Sequence, residues 1–194
     1  MKEYDRDIVS EYAQKAGMNL GNAEKDYVLS AAIASISKLS ASSELVFKGG
    51  TCLKKAYFPD YRFSSDLDFT GLNCDKNVLK SEITGIFQNK EVEGVNFSRI
   101  ADLSKEDKKN LNLSIKYQSA ISLAKLHVDS ISIDVNFETK VLLEPKIREL
   151  LFPEEYHLPS VKFKVMQLEE ILAEKIHAIY KRPKPRDLYD LHYL

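Results

Sequence analysis

Apolar positions recur at helical spacing over residues 5–16 and again over 22–39, where Val28, Leu29, Ala32, Ile33 and Ile36 share one face and Asn22 stands where an N-cap is expected. The pattern then shortens. Leu45, Val46 and Phe47 form an apolar run that ends at Gly49 and Gly50, and residues 51–57 read as a helical turn or two stopped at Pro59. Residues 66–69 alternate polar and apolar, so a strand there sets Asp66 and Asp68 on one face and Leu67 and Phe69 on the other. A helix over about 75–88 follows. Two longer alternating runs come next, with Leu111, Leu113, Ile115 and Tyr117 on one face of the first and Ile131, Ile133, Val135 and Phe137 on one face of the second. The charged residues 104–110 read either as a solvated turn between strands or as a loop beside a substrate.

From 168 to 180 the helical period returns, and a second short helix starts near Pro185 and runs to residue 194 without a capping signal, the pattern either of a terminal helix docked on the core or of a helical region cut short. These elements predict a mixed α/β (α+β) fold in one domain: a helical entry over 1–43, a sheet-containing core over 44–166, and a helical region over 167–194.

Composition narrows the class. The 194 residues are 44% hydrophobic and 29% charged, with seven Gly and six Pro, which excludes disordered, collagenous and low-complexity chains. Lys plus Arg total 28 against 29 Asp plus Glu, so a net charge of -1 supplies no global field for polyanions, and any nucleic-acid contact needs a local patch such as Lys181, Arg182, Lys184 and Arg186. The charged start and the absence of a long apolar run argue against a signal peptide or a membrane span, so the expectation is a cytoplasmic protein with no membrane partner. Cys52 and Cys74 fit no zinc spacing or disulfide framework and are expected to be reduced and half-buried.

The candidate chemistry lies in carboxylates. Asp66 and Asp68 alternate with apolar residues and can point at one site. Asp134 sits on the polar face of the 131–137 strand, from which it can converge on them. Such a trio suits hard divalent cations in phosphoryl transfer, although each residue taken singly also fits a solvated strand position. The Gly49-Gly50-Thr51 turn can present backbone N–H groups to a phosphate, or simply reverse the chain. On the 168–180 helix, Leu168, Ile171, Leu172, Ile176 and Ile179 form an apolar stripe with Lys175 in its middle, while Glu169, Glu170, Glu174 and His177 lie off it. Lys175 therefore either snorkels past packed neighbours or offers a point charge to phosphates. Asp187 and Asp190 suit the N-terminal half of the last helix through its dipole, and a site role is equally open.

In order along the chain, Phe47-Lys48-Gly49-Gly50-Thr51, Arg62-Phe63-Ser64-Ser65-Asp66-Leu67-Asp68-Phe69, Asp134, Glu174-Lys175-Ile176 and Lys184-Pro185-Arg186-Asp187-Leu188-Tyr189-Asp190-Leu191 resemble the AbiEii/AbiGii toxin family of the nucleotidyltransferase superfamily, which has a DNA polymerase β-like palm. The resemblance runs from about residue 44 to the end. It implies a nucleotidyltransferase-fold mixed sheet with flanking helices, and an enzyme that moves a nucleoside monophosphate from an NTP to an acceptor. By carry-over, Gly49, Gly50 and Thr51 hold the triphosphate, with Arg62 and Ser64 assisting. Asp66, Asp68 and Asp134 ligate Mg2+ or Mn2+, and Asp134 is also placed to act as the base. Lys175 faces the nucleotide phosphates, and Asp187 is the acidic residue of the Arg-Asp signature. The resemblance further implies a toxin of a type IV toxin–antitoxin or phage-defence system, a cognate antitoxin as partner, and RNA, in particular the tRNA 3' end, as acceptor. Two other expectations stand beside it: transfer to a protein or small-molecule hydroxyl, and a non-catalytic module that binds nucleotide or a partner.

Overall fold

A computed structural model describes residues 6–104, 109–121, 128–182 and 184–194. Helices α1 (Arg6–Lys15) and α2 (Leu20–Ile36) open the chain. The second is capped by Asn19, whose side-chain oxygen accepts the Asn22 N–H; the sequence reading had placed the cap at Asn22. Asn19 wins because its extended backbone lets its oxygen turn back onto the first free N–H groups of the helix. Strand β1 (Leu45–Lys48) leads directly into the short helix α3 (Gly49–Cys52), and a π turn over Leu53–Tyr57 ends ahead of Pro59. Strand β2 (Asp66–Gly71) and helix α4 (Lys76–Phe87) follow, the helix capped by Asp75, which accepts from the Asn77 and Val78 N–H groups.

The middle of the chain is sheet: β3 (Glu91–Val92), β4 (Val95–Asp102), β5 (Asn110–Gln118) and β6 (Val128–Asn136), then β7 (Lys146–Glu149) and β8 (Lys162–Val165). Helices α5 (Leu168–Lys181) and α6 (Pro185–Tyr193) close the described chain. The eight strands form one mixed sheet in the order β3-β4-β5-β6-β2-β1-β8-β7. Four of these strands, β3, β4, β7 and β8, were not anticipated. β3 has two residues, and β7 is exposed along its whole length, so neither carries an inward-facing apolar period. The predicted turn over 104–110 falls in part on residues 105–108, which lie outside the described residues.

Two consequences position the site. First, the apolar sides of β2, β5 and β6 are packed: Leu67, Phe69, Leu111, Leu113, Ile115, Ile131, Ile133 and Val135 are buried beneath α2 and α4, leaving the alternate, polar positions for the opposite face. Second, α2 is buried on nearly all sides, and its charged residues are satisfied inside. Glu24 accepts from the Ser119 hydroxyl and the Ala120 and Ile121 N–H groups, and Asp26 pairs with Lys55 and the Tyr156 hydroxyl. Cys52 is fully buried rather than half-buried, Cys74 is partly buried, and both are free thiols. On α5 the apolar stripe is only partly covered: Ile171 is buried, but Ile176 is exposed, because α6 packs on the side carrying Lys175.

A carboxylate face beside a held pair of cations

β2 and β6 are parallel neighbours in a register that pairs Asp68 with Asp134 and Asp66 with Ser132. Directly paired positions point to the same face, so Asp66, Asp68 and Asp134 share the polar side of the sheet. β1 runs antiparallel on the other flank of β2 and sets Lys48 opposite Asp68. Asp134, far from Asp66 and Asp68 in sequence, is thus brought to their face by strand pairing.

The electrostatics are unbalanced. Asp68 is pushed up to about 6, first by burial and then by the charges of Asp134 and Asp66, against the weaker pull of Lys48 and Lys175. Burial also raises the Asp134 carboxyl, with Asp66 adding to the rise and a 2.5 Å hydrogen bond from the Asn112 side-chain amide opposing it. The nearby cations are committed elsewhere: Lys48 pairs with Glu174 at 2.6 Å, and Lys175 with Asp190 at 2.7 Å and Asp187 at 3.4 Å. Among the described residues none of the three carboxylates has an ion-pair partner of its own. Negative charge is therefore left over on this face.

The glycine turn closes against it. Gly49 has a φ of +77°, and a Cβ there would collide with the Asp68 carboxylate; a Cβ on Gly50 would sit 2.8 Å from the Ser64 hydroxyl and 3.4 Å from Arg62 Nη2. The two missing side chains leave the start of α3 in contact with Asp68, Ser64 and Arg62. Thr51 is buried, and its hydroxyl donates to the Asp66 carbonyl at 2.5 Å, which ties the turn to the start of β2.

Beyond the turn lies a second, balanced cluster. Asp187 and Asp190 sit one helical turn apart on α6 and are buried. Asp190 accepts from Arg62 Nε at 2.5 Å and Nη2 at 2.7 Å, and its Oδ2 also lies 2.7 Å from the Lys175 ammonium. Burial works against ionisation of Asp190, but the hydrogen bonds from Arg62 and Lys175 outweigh it and hold the carboxyl below its ordinary range. Asp187 Oδ2 is buried with no hydrogen-bond partner among the described residues.

Every residue singled out from the sequence has a place in this arrangement. Asp66, Asp68 and Asp134 share a face, Gly49, Gly50, Arg62 and Ser64 meet beside Asp68, and Lys175 and Asp187 form an ion pair. Lys48, Glu174 and Asn112 were not expected in site roles, whereas for Asp190 a site role stood open beside a helix-dipole role. Lys48 and Asp190 stand inside the quoted motifs, but only tertiary packing shows whom they touch. Glu174 had been read as part of a solvated helix face, whereas it binds Lys48, and Glu170 accepts the Leu142 N–H at 2.7 Å. A carboxylate on a helix periphery carries no sequence signal for a strand lysine 126 positions away.

Among the described residues no three His, Cys, Asp or Glu side chains converge tightly enough to form a ready-made metal cage. A magnesium ion does not need one, since it takes one or two carboxylates and completes its shell with water and substrate phosphates. The carboxylate face, with its excess negative charge and an open glycine cradle alongside, fits an ion that arrives with a triphosphate.

Among curated proteins, none matches the sequence. In solved structures the fold is similar to MenT4, a nucleotidyltransferase toxin from Mycobacterium tuberculosis H37Rv, with a TM-score of 0.75 and 22% sequence identity. The alignment covers 97% of this chain and 63% of that one, so the chain spans less than two thirds of the length of this structural relative. Over residues 31–194 the sequence matches the family described as nucleotidyl transferase AbiEii toxin, type IV TA system. A match across that much of the chain, from within α2 to the end of α6, shows that it belongs to the AbiEii nucleotidyltransferase toxin family.

Proposed function

We propose that the chain transfers a nucleoside monophosphate from an NTP to the 3' hydroxyl of an RNA, in particular a tRNA, as the toxin of a type IV toxin–antitoxin pair with a cognate antitoxin as partner. The observation that carries this reading is the Asp68–Asp134 pairing across β2 and β6, with Asp66 on the same face and with its charge uncompensated. Family membership supplies the reaction class.

Asp66, Asp68 and Asp134 would hold Mg2+ or Mn2+, which when bound neutralises phosphate charge and lowers the energy of the in-line displacement. The protein's own groups do the rest. The start of α3 at Gly49 and Gly50 binds the triphosphate, with the Ser64 hydroxyl and Arg62 beside it. The acceptor oxygen forms a bond to the α-phosphorus as the bond to the bridging oxygen of pyrophosphate breaks. The hydroxyl proton passes to Asp134, which shares the face with Asp66 and Asp68. Lys175 and Arg62 face the charge that builds on the leaving pyrophosphate. Asp187, buried beside Lys175, helps hold that ammonium in place.

Incubating the protein with each α-labelled NTP, Mg2+ or Mn2+ and bulk tRNA tests the reading. Label on RNA, abolished by Asp66→Ala, is expected; label on no RNA with any of the bases contradicts the acceptor assignment. A net charge of -1 favours one rival, a protein or small-molecule hydroxyl as acceptor, and label appearing on protein in the same reactions would establish it.

A further inference from the structure

We propose that Asp190 is a positioning residue for the transfer reaction, aiming Arg62 and Lys175 together through one buried carboxylate; the inference rests on the function proposed above. Asp190 has no exposed side-chain surface, so it cannot touch a substrate and can act only through its partners. Those partners come from separate parts of the chain, Arg62 from the segment ahead of β2 and Lys175 from α5. Both are long side chains that lose much rotamer freedom when fixed. The Arg62 fork binds both Asp190 oxygens, which sets the guanidinium plane, and the shared Oδ2 then fixes where the Lys175 ammonium lies.

The directions matter. Arg62 Nη2 is held 3.4 Å from the point where a Gly50 Cβ would stand, and Lys175 acts on Asp68 through its charge. One carboxylate thus holds one cation beside the glycine cradle and binds a second, from α5, at the oxygen the two share. A buried ion cluster serving the fold alone gains little over well-packed apolar residues. Its position between two parts of the site is what a preorganised phosphate clamp requires. Asp187 cannot substitute for it, since it reaches Lys175 at 3.4 Å through one oxygen, and among the described residues it makes no hydrogen bond or ion pair with Arg62.

The test is Asp190→Asn, which keeps the size and removes the charge. A first readout needs no activity. In 15N NMR spectra the Arg62 Nε–H, assigned by its loss in Arg62→Lys, is expected to be ordered and slowly exchanging in the wild type, and to lose that protection in Asp190→Asn along with the Lys175 ammonium signal. Survival of both signals in the variant overturns the proposal. The second readout is kinetic. kcat is expected to fall about 10- to 100-fold, the usual scale for a residue that orients active groups, with KM for NTP little changed, and the loss should shrink in a Lys175→Met background, where only the Arg62 contribution remains. Equal losses in both backgrounds, or a lower KM with kcat unchanged, overturn it. If the wild type transfers no label to any acceptor, the proposed function has failed, and the NMR result still decides whether Asp190 holds the two cations. If Asp190→Asn does not fold, Asp190→Glu restores the charge at a longer reach and must lose the same Arg62 protection.

Discussion

The two acidic clusters of the site are built from the same residue type and behave in opposite ways. On the sheet, Asp66, Asp68 and Asp134 crowd one face without a dedicated cation, and burial with mutual repulsion lifts Asp68 to about 6. On α6, Asp187 and Asp190 are more deeply buried, yet Asp190 is held below its ordinary range because Arg62 and Lys175 answer its charge. The cluster on α6 follows the rule that buried charges are paired, and the one on the sheet departs from it. Unanswered charge marks where something cationic is meant to arrive, and answered charge marks the frame that holds the reactive groups. A third cluster completes the contrast: Lys55, Asp26, Ser30 and Tyr156 are fully buried and are paired with one another.

Substitutions should separate these roles. The largest effect is expected from Asp68→Asn: a loss of transfer activity on the order of 10^3-fold, the scale of removing an electrostatic stabiliser of the transition state, together with a rise in stability. A carboxyl lifted from 3.8 to about 6 carries about 3 kcal/mol of strain at neutral pH. A thermal melt should therefore move up by roughly 6–12 °C, given 2–4 °C per kcal/mol for a domain of this size. A lower melting temperature would mean that the face is not frustrated.

Lys55→Met should do the reverse. Removing one partner of a buried pair leaves Asp26 uncompensated and destabilises by about 3–5 kcal/mol, while the specific activity of the folded fraction stays at the wild-type level. Urea unfolding read alongside activity checks this, and a fall in kcat at full folding would join that cluster to the site.

The smallest effect is on pH. Because the folded pKa of Asp68 lies above its unfolded value, its contribution to stability is present below about pH 4 and is lost as pH rises through about 6. Activity runs the other way and should fall as pH drops below about 6, when Asp68 takes up a proton. Raising Mg2+ should move that limb to lower pH, since ion and proton compete for one carboxylate; an acid limb indifferent to Mg2+ would contradict the assignment.

Much of this was legible before the fold was known. The alternation through Asp66–Phe69 and Ile131–Phe137 predicted two strands with carboxylates on their polar sides, because a half-buried strand imposes a period of two that survives in any context. The glycine pair was legible for a related reason, since few backbones other than a tight turn against a neighbour require it. Partnership was not legible. Glu174 lies off the apolar stripe and Asp190 suits the helix dipole as well as a site, and neither position names its partner; they bind Lys48 on β1 and Arg62 ahead of β2, contacts set by where α5 and α6 dock. The short edge strands also left no trace, since Lys146–Glu149 is exposed and buries nothing that would give a pattern.

The most direct measurement of the central claim is a crystal soaked with Mn2+ and a non-hydrolysable NTP, read by anomalous scattering. The account predicts a manganese peak at ligand distance from Asp66 and Asp68, with the triphosphate against Gly49 and Gly50 and the Lys175 ammonium facing its phosphates. Nucleotide bound with no metal at those carboxylates, or metal and nucleotide held elsewhere on the protein, would contradict it.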